Sequence, residues 1–355
     1  MRRGSFKQVA TIVPLGLAVA CCLALPSCST LKTPAPNSWA CYGTLSGLRL
    51  PVASIAFSPD GQIASTHSSL FPSDERPMLM FTVGYLAVWR NDDWRILESS
   101  MLVDDLTRHQ VRFNSDGKQC LVAVDKGVVV WDLEKSQLSQ KPPANIHALS
   151  PDGTLLARLE SDEKNKYLVV EDLQTGELIA KIFLPDSHLH GLCLSHDHKL
   201  VAISDGFTGE SYKFIIWNLE TGAQQCSFKL PINTWSCDFS QDGKQIATVS
   251  YDNIVRVWNT ADGSLEKSFD LGEKPILAVA FSPDGQYLAV GYEHETYEQT
   301  GGVILFDLIT GNQVTERLEE SAWGVTAVAF SPDGEFLATG NSDGEIKLWR
   351  VPEEE

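Results

Sequence analysis

The chain has 355 residues, 43% hydrophobic and 21% charged. These are ordinary proportions for a folded protein, and they exclude a disordered chain. Its 28 Lys and Arg face 46 Asp and Glu, a formal net charge of −18. Such a surface repels phosphate backbones and argues against nucleic acid as a partner.

The first element is a leader. Arg2, Arg3 and Lys7 precede Val9–Leu25, a stretch without a charge that Pro14 interrupts. A spanning helix needs about 20 apolar residues, so the run reads as a signal peptide over residues 1–27. Leu25-Pro26-Ser27-Cys28 resembles the lipobox of bacterial lipoproteins, with Pro26 as a departure at the second position. The resemblance implies acylation of Cys28 and a protein exported to the cell envelope, held on a membrane by its lipidated N-terminus. Simple secretion, an uncleaved anchor and modification at Cys21 are the alternatives. Residues 28–38 then form the lipidated Cys and a flexible tether rich in Pro, Thr and Ser.

From residue 39 to 352 the chain repeats. Phe-Ser-Pro-Asp-Gly and its variants begin at Phe57, Phe113, Leu149, Leu194, Phe239, Phe281 and Phe330. A period of roughly 40–50 residues marks stacked units that cannot bury their apolar faces alone. Each unit has an apolar run, this turn, and a second run such as Tyr287–Val290. A third run ends in an aromatic, and a Thr-Gly turn opens a fourth. Pro suits the second position of a type I turn, and Gly accepts the left-handed conformation that returns the chain. Four short strands per unit, repeated radially, predict an all-β fold: a seven-bladed β-propeller of four-stranded antiparallel blades. The last unit stops after its third strand at Val351. Trp39–Leu45 (WACYGTL) is an apolar stretch with no other use. It is expected to close the last blade and cover its edge. Residues 353–355 are a solvated acidic tail.

Trp closes the third strand at positions 89, 131, 217, 258 and 349, with Glu171 and Phe306 in the other two repeats. In this the chain resembles the WD-repeat propellers over residues 39–351. The resemblance implies a scaffold for protein–protein contact and says little of any particular function. The Gly-His dipeptide of that family is absent. Asp125, Asp252 and Asp343 match its Asp before the Trp strand, so its His–Asp–Trp network is expected to be incomplete. In the fourth turn His198 replaces Gly, and His tolerates the left-handed region better than most residues. Glu171 reads as a rim residue paired with a Lys.

By that resemblance the Ser-Pro-Asp-Gly turns share one face. Irregular insertions fall on the other: Thr66–Pro77, Ser161–Lys166, Asp205–Lys213 and Glu293–Gly301. Long loops on one rim of a rigid scaffold usually carry binding. Trp235, Trp323, Phe207, Tyr212, Tyr292 and Tyr297 lie in or beside these connections, and exposed aromatics are typical protein anchors. His190 joins them. With His188 and Asp186 it offers metal-ligand spacing, although solvated loop histidines are the default reading for these and for His196 and His198.

Cys41, Cys120, Cys193, Cys226 and Cys237 contain no C-x-x-C pair. Cys120, Cys193 and Cys237 sit in apolar runs as buried free thiols, and a Cys226–Cys237 disulfide is open only in an oxidising compartment. No nucleophile elbow, zinc-helix motif or phosphate loop is present. The expectation is a monomeric, non-catalytic scaffold for a protein partner, with no cofactor and no metal. The alternative is a cofactor-binding or hydrolytic propeller, quinoprotein-like, outside the cytoplasm. Its blades place a Trp soon after the Thr-Gly turn, which Gly176, Gly222 and Gly311 lack.

Overall fold

The computed structural model describes residues 40–46, 50–72, 80–89, 96–103, 110–124, 127–141, 145–162, 165–184, 189–207, 211–232, 234–293, 301–315, 318 and 324–352. Strand β1 (Ala40–Leu45) comes first. Blade one is β2 (Val52–Phe57), β3 (Ile63–Pro72), β4 (Met80–Trp89) and β5 (Ile96–Val103). Blade two is β6 (Gln110–Phe113), β7 (Gln119–Val124), β8 (Gly127–Asp132) and β9 (Gln137–Lys141). Blade three is β10 (Asn145–Leu149), β11 (Leu155–Ser161), β12 (Lys166–Asp172) and β13 (Leu178–Leu184). Blade four is β14 (Leu189–Leu194), β15 (Leu200–Phe207), β16 (Ser211–Asn218) and β17 (Gln224–Leu230). Blade five is β18 (Thr234–Phe239), β19 (Gln245–Ser250), β20 (Ile254–Asn259) and β21 (Leu265–Asp270). Blade six is β22 (Ile276–Phe281), β23 (Tyr287–Tyr292) and β24 (Gly302–Asp307). Blade seven is β25 (Val325–Phe330), β26 (Phe336–Asn341) and β27 (Ile346–Arg350), completed by β1.

The inner strands touch in the order β2, β6, β10, β14, β18, β22, β25 and back to β2, which closes the ring. The fold is the predicted seven-bladed propeller, with no helix among the described residues. Closure is also as predicted. β1 runs antiparallel to β27, from Ala40 opposite Arg350 to Leu45 opposite Ile346. Leu45 is buried, and Tyr42 meets Phe336 edge-on at 5.2 Å.

Two expectations need correction. Among the described residues blade six has three strands rather than four. Its edge is covered by an irregular segment in which Val314 and Leu318 donate to the Leu305 and Val303 carbonyls. Gln313 makes the one bridge, to Phe306. The insertions of blades one and four are largely not loops. β3 and β4 stay paired out to Pro72 and Met80, and β15 and β16 out to Phe207 and Ser211. The period-two pattern weakens there, but the ladder continues because each strand has a partner to pair with.

The repeated turn works through its buried serine. Ser58, Ser150, Ser195, Ser240, Ser282 and Ser331 are nearly inaccessible. Each hydroxyl donates to the Asp two residues on and accepts the N–H that opens the next strand, as from Leu155 to Ser150 at 2.9 Å. Asn114 does the accepting in blade two, from Gln119 at 2.8 Å. Burial opposes ionisation of Asp60, Asp152 and Asp197, but these hydrogen bonds hold each below the usual carboxylate range. His198 takes the glycine position with a φ of 60°, as its substitution for Gly requires.

Candidate functional site

Because strands alternate in direction, the Ser-Pro-Asp-Gly turns gather at one face, and the second-to-third strand hairpins gather at the other. Six inner strands carry a register shift near their start, at Ala53, Ile146, His190, Trp235, Leu277 and Thr326. A bulge re-aims the extra residue. His190 and Trp235 therefore hold equivalent positions on neighbouring blades four and five. Tyr212 on β16 and Phe207 at the end of β15 lie at the same end of blade four, so the topology brings four sequence candidates onto one arc of the hairpin rim. Tyr212 is half-buried against the core between blades four and five.

Tyr292 is a correction. It is 3% exposed and belongs to the core between blades five and six, with the Lys274 ammonium 5.4 Å from its ring centroid. It closes β23 and faces inward because the strand continues through it. Trp323, Tyr297, His188, Asp186 and Cys28 lie outside the described residues. Sequence reasoning missed Tyr251, a 56%-exposed aromatic at the hairpin tip of blade five. Its signal was an aromatic directly before the Asp-Asn turn.

Down the axis runs a channel of about 840 Å³. Tyr251 and Gln110 mark the hairpin end. Pro59, Pro151, Pro283 and Pro332 ring the turn end. Arg112 is the one Lys or Arg among the described lining residues. Polar side chains on the inner strands tie neighbouring blades together. Ser54 accepts the Val111 N–H at 3.2 Å, Gln110 that of Leu149 at 2.7 Å, and Asp238 that of Phe281 at 2.9 Å. Burial raises the Asp238 carboxyl to a pKa of about 6, with the Phe281 N–H and the Arg112 charge pulling the other way.

The histidines are not simply solvated. His198 Nε2 reaches Asp152 of the adjoining turn at 3.0 Å. His196 lines the channel, where burial and then the Arg112 charge lower its pKa to about 4. Among the described residues no group of three or more His, Cys, Asp or Glu has metal-binding geometry. No disulfide joins any of the described cysteines. Cys226 Sγ donates to the Thr260 carbonyl at 3.3 Å. Cys237 touches Cys193 instead, and burial and then that contact push the Cys193 thiol up.

The Trp network is fuller than the sequence implied. Trp258 donates to Thr248 at 2.9 Å and Trp349 to Thr339 at 3.0 Å. In blade one Trp89 donates to Ser65 at 3.4 Å, Ser65 contacts His67 Nε2 at 2.8 Å, and His67 Nδ1 contacts the Leu50 carbonyl at 2.9 Å. A histidine on the second strand thus does the linking that the missing Gly-His was expected to do. Asp252 is engaged by Arg256 at 2.7 Å. Glu171 pairs with Arg158 at 3.1 Å, not with a Lys.

Three stretches, residues 225–259, 263–296 and 312–350, match the family model described as WD domain, G-beta repeat. These stretches are similar to WD repeats. Each begins on the outer strand or edge segment of one blade and runs into the next, the same stagger that leaves β1 to complete blade seven. The chain is 28% identical over 172 residues to the meiotic recombination protein rec14 of Schizosaccharomyces pombe, over 47% of this chain and 53% of that protein. It is 31% identical over 203 residues to the WD repeat-containing protein SL1-17 of Schistosoma mansoni, over 54% of this chain and 64% of that protein. The chain thus spans between half and two thirds of the length of these curated relatives.

Proposed function

We propose that this protein is a non-catalytic scaffold, exported and held on a membrane through a lipidated Cys28, that binds a protein partner across the hairpin rim of blades four and five. The observation that carries the reading is the arc on adjacent blades of His190, Phe207, Tyr212, Trp235 and the exposed Tyr251. Several aromatic positions at one end of a closed ring suit a rigid, pre-organised contact surface. The WD-repeat likeness supports interaction rather than chemistry as the fold's task. The leader supports the envelope address.

The test is cross-linking of the membrane-held protein, comparing the parent with a Trp235→Ala, Tyr251→Ala double variant and with Trp323→Ala. A partner captured near stoichiometrically by the parent and lost from the folded double variant supports this rim. Equal capture by both refutes it. Metabolic labelling with an acyl-chain probe reads the anchor separately: label on the parent and none on Cys28→Ser is expected, and an unlabelled parent overturns lipidation.

A further inference from the structure

The turn end of the channel, opposite the proposed partner rim, holds a group that the scaffold reading does not use. Arg112 stands on β6 two residues before its turn, inside the channel. Its contacts leave it under-used: Nη1 donates to the Val111 carbonyl at 2.9 Å. No carboxylate among the described residues lies within ion-pair distance of it. The nearest opposing charge acts at longer range from Asp238, whose Oδ2 already accepts the Phe281 N–H. A guanidinium has five N–H donors in a planar fork, and withdrawing it from bulk water without a partner is costly. Burial accordingly pulls its pKa down.

A second group lining the same channel is also unsatisfied. His196, in the turn of blade four, feels the Arg112 charge, and its Nδ1 is buried with no hydrogen-bond partner. Arg112 and His196 come from blades two and four, so the ring alone brings them together. Both line the channel toward the end that the prolines ring. The charged or titratable groups near them are Asp152, Asp197, His198, Asp238 and the paired thiols Cys193 and Cys237. Asp152 is held by Ser150, Thr154 and His198, and Asp197 by Ser195.

We propose that this channel mouth is a carboxylate-binding site, with the Arg112 fork taking the two oxygens and His196 completing the contact. One guanidinium that already feels the Asp238 charge, beside a histidine that feels Asp152, suits a planar monoanion and disfavours a phosphate dianion. The carboxylate comes either from an acidic side chain or chain end of a protein, or from a small free acid. This site is on the face away from the proposed partner rim and does not depend on that reading.

The test is calorimetric titration of the full chain with acetate, succinate, N-acetylglycine, N-acetylglutamate N′-methylamide and methylphosphonate at constant ionic strength. Saturable binding of carboxylates in roughly the millimolar range is expected, as one charge-assisted fork provides. Arg112→Gln should weaken it about tenfold or more, and Arg112→Lys should fall between. Equal affinity for acetate and the peptide-like probes assigns a free acid, whereas preference for either peptide-like probe assigns a protein group. No saturable binding to any carboxylate, equal binding by Arg112→Gln, or preference for methylphosphonate overturns the proposal. Should Arg112→Gln not fold, the parent's Arg112 Nε–Hε resonance serves instead. It must move on titration, and a resonance that stays in place overturns the site.

Discussion

Glu171 meets Arg158 across β12 and β11 at the register step where Trp258 meets Thr248 in blade five and Trp349 meets Thr339 in blade seven. In each case the third-strand residue reaches the second-strand residue two places beyond its direct partner. The same two positions hold Trp89 with Ser65, Trp131 with Val122, Trp217 with Ile203 and Phe306 with Val290 in the remaining blades. Trp with a hydroxyl and Glu with Arg are satisfied by a polar contact, and Phe with an aliphatic needs none. Trp131 and Trp217 have aliphatic partners instead, and the indole N–H of Trp217 is buried without a partner.

The Arg158–Glu171 pair should behave as an exchangeable unit. Arg158 also holds Glu160 at 2.7 Å, and Lys181 holds Glu160 at 3.0 Å. Because the groups remain partly solvated, the coupling between Arg158 and Glu171 should be about 0.5–1 kcal/mol in a double-mutant cycle. Glu171→Trp and Arg158→Thr should each destabilise the chain to denaturant. The double replacement should be more stable than the sum of the two singles, because it installs the Trp–hydroxyl pair found elsewhere in the ring. Strict additivity would show that the register pairing carries no energy.

Thr248→Val tests the hydroxyl version. The Thr248 hydroxyl accepts from Trp258, which is stacked 4.0 Å from Phe228 and cannot turn to water. Removing the acceptor while keeping the shape leaves a buried indole N–H orphaned, at a cost of about 1–3 kcal/mol. Urea unfolding should show that loss with an unchanged m-value.

His67 sets a pH dependence of definite sign. Its Nδ1–H faces the Leu50 carbonyl, so Nε2 is the acceptor for Ser65. Burial, opposed by the Leu50 bond, lowers its pKa from 6.5 to about 4. A histidine shifted down stabilises the fold above its unfolded pKa and loses that contribution as pH falls through the folded value. Stability at pH 7 relative to pH 4 should therefore contain a term on the order of 2–3 kcal/mol from His67. His67→Gln should flatten the curve between those limits, as read by denaturation at successive pH values.

The propeller, its seven repeats and the closing strand were legible because turn chemistry and a fixed period repeat in the chain itself. Ser58, Asp60 and Gly61 sit close in sequence, and their hydrogen bonds are local. What was not legible depends on the ring. Arg112 and His196 are 84 positions apart and line one channel only because blades two and four face one axis. Tyr292 looked like a loop aromatic because an insertion follows it, yet β23 carries it into the core. His67 was hidden for a different reason: its role needs the partners Ser65 and Leu50 in space, and the resemblance directed attention to a missing His in another connection.

Ring closure predicts a large effect from a short deletion. Removing residues 39–46 strips β1 from β27, exposes a strand edge and uncovers the core that Leu45 and Tyr42 cap. The loss includes at least one fully buried side chain worth about 1.5–3 kcal/mol, besides the ladder bonds. The thermal midpoint should fall by several degrees or more, and an unchanged midpoint would refute closure through β1.

Asp238 should act opposite to His67. Its pKa is raised by burial from 3.8 to about 6, despite the Phe281 N–H and the Arg112 charge. The folded state thus binds a proton that the unfolded chain has already released, so stability falls as pH rises from about 4 to 6. The term is on the order of 2–3 kcal/mol and partly masks that of His67 over the same range. Asp238→Asn keeps an oxygen for Phe281 and removes the charge. Its denaturation midpoint should gain on the parent's as pH rises from 4 to 7, with most of the gain complete by about pH 6. A constant difference between variant and parent across that range would show that the carboxyl titrates normally in the folded channel.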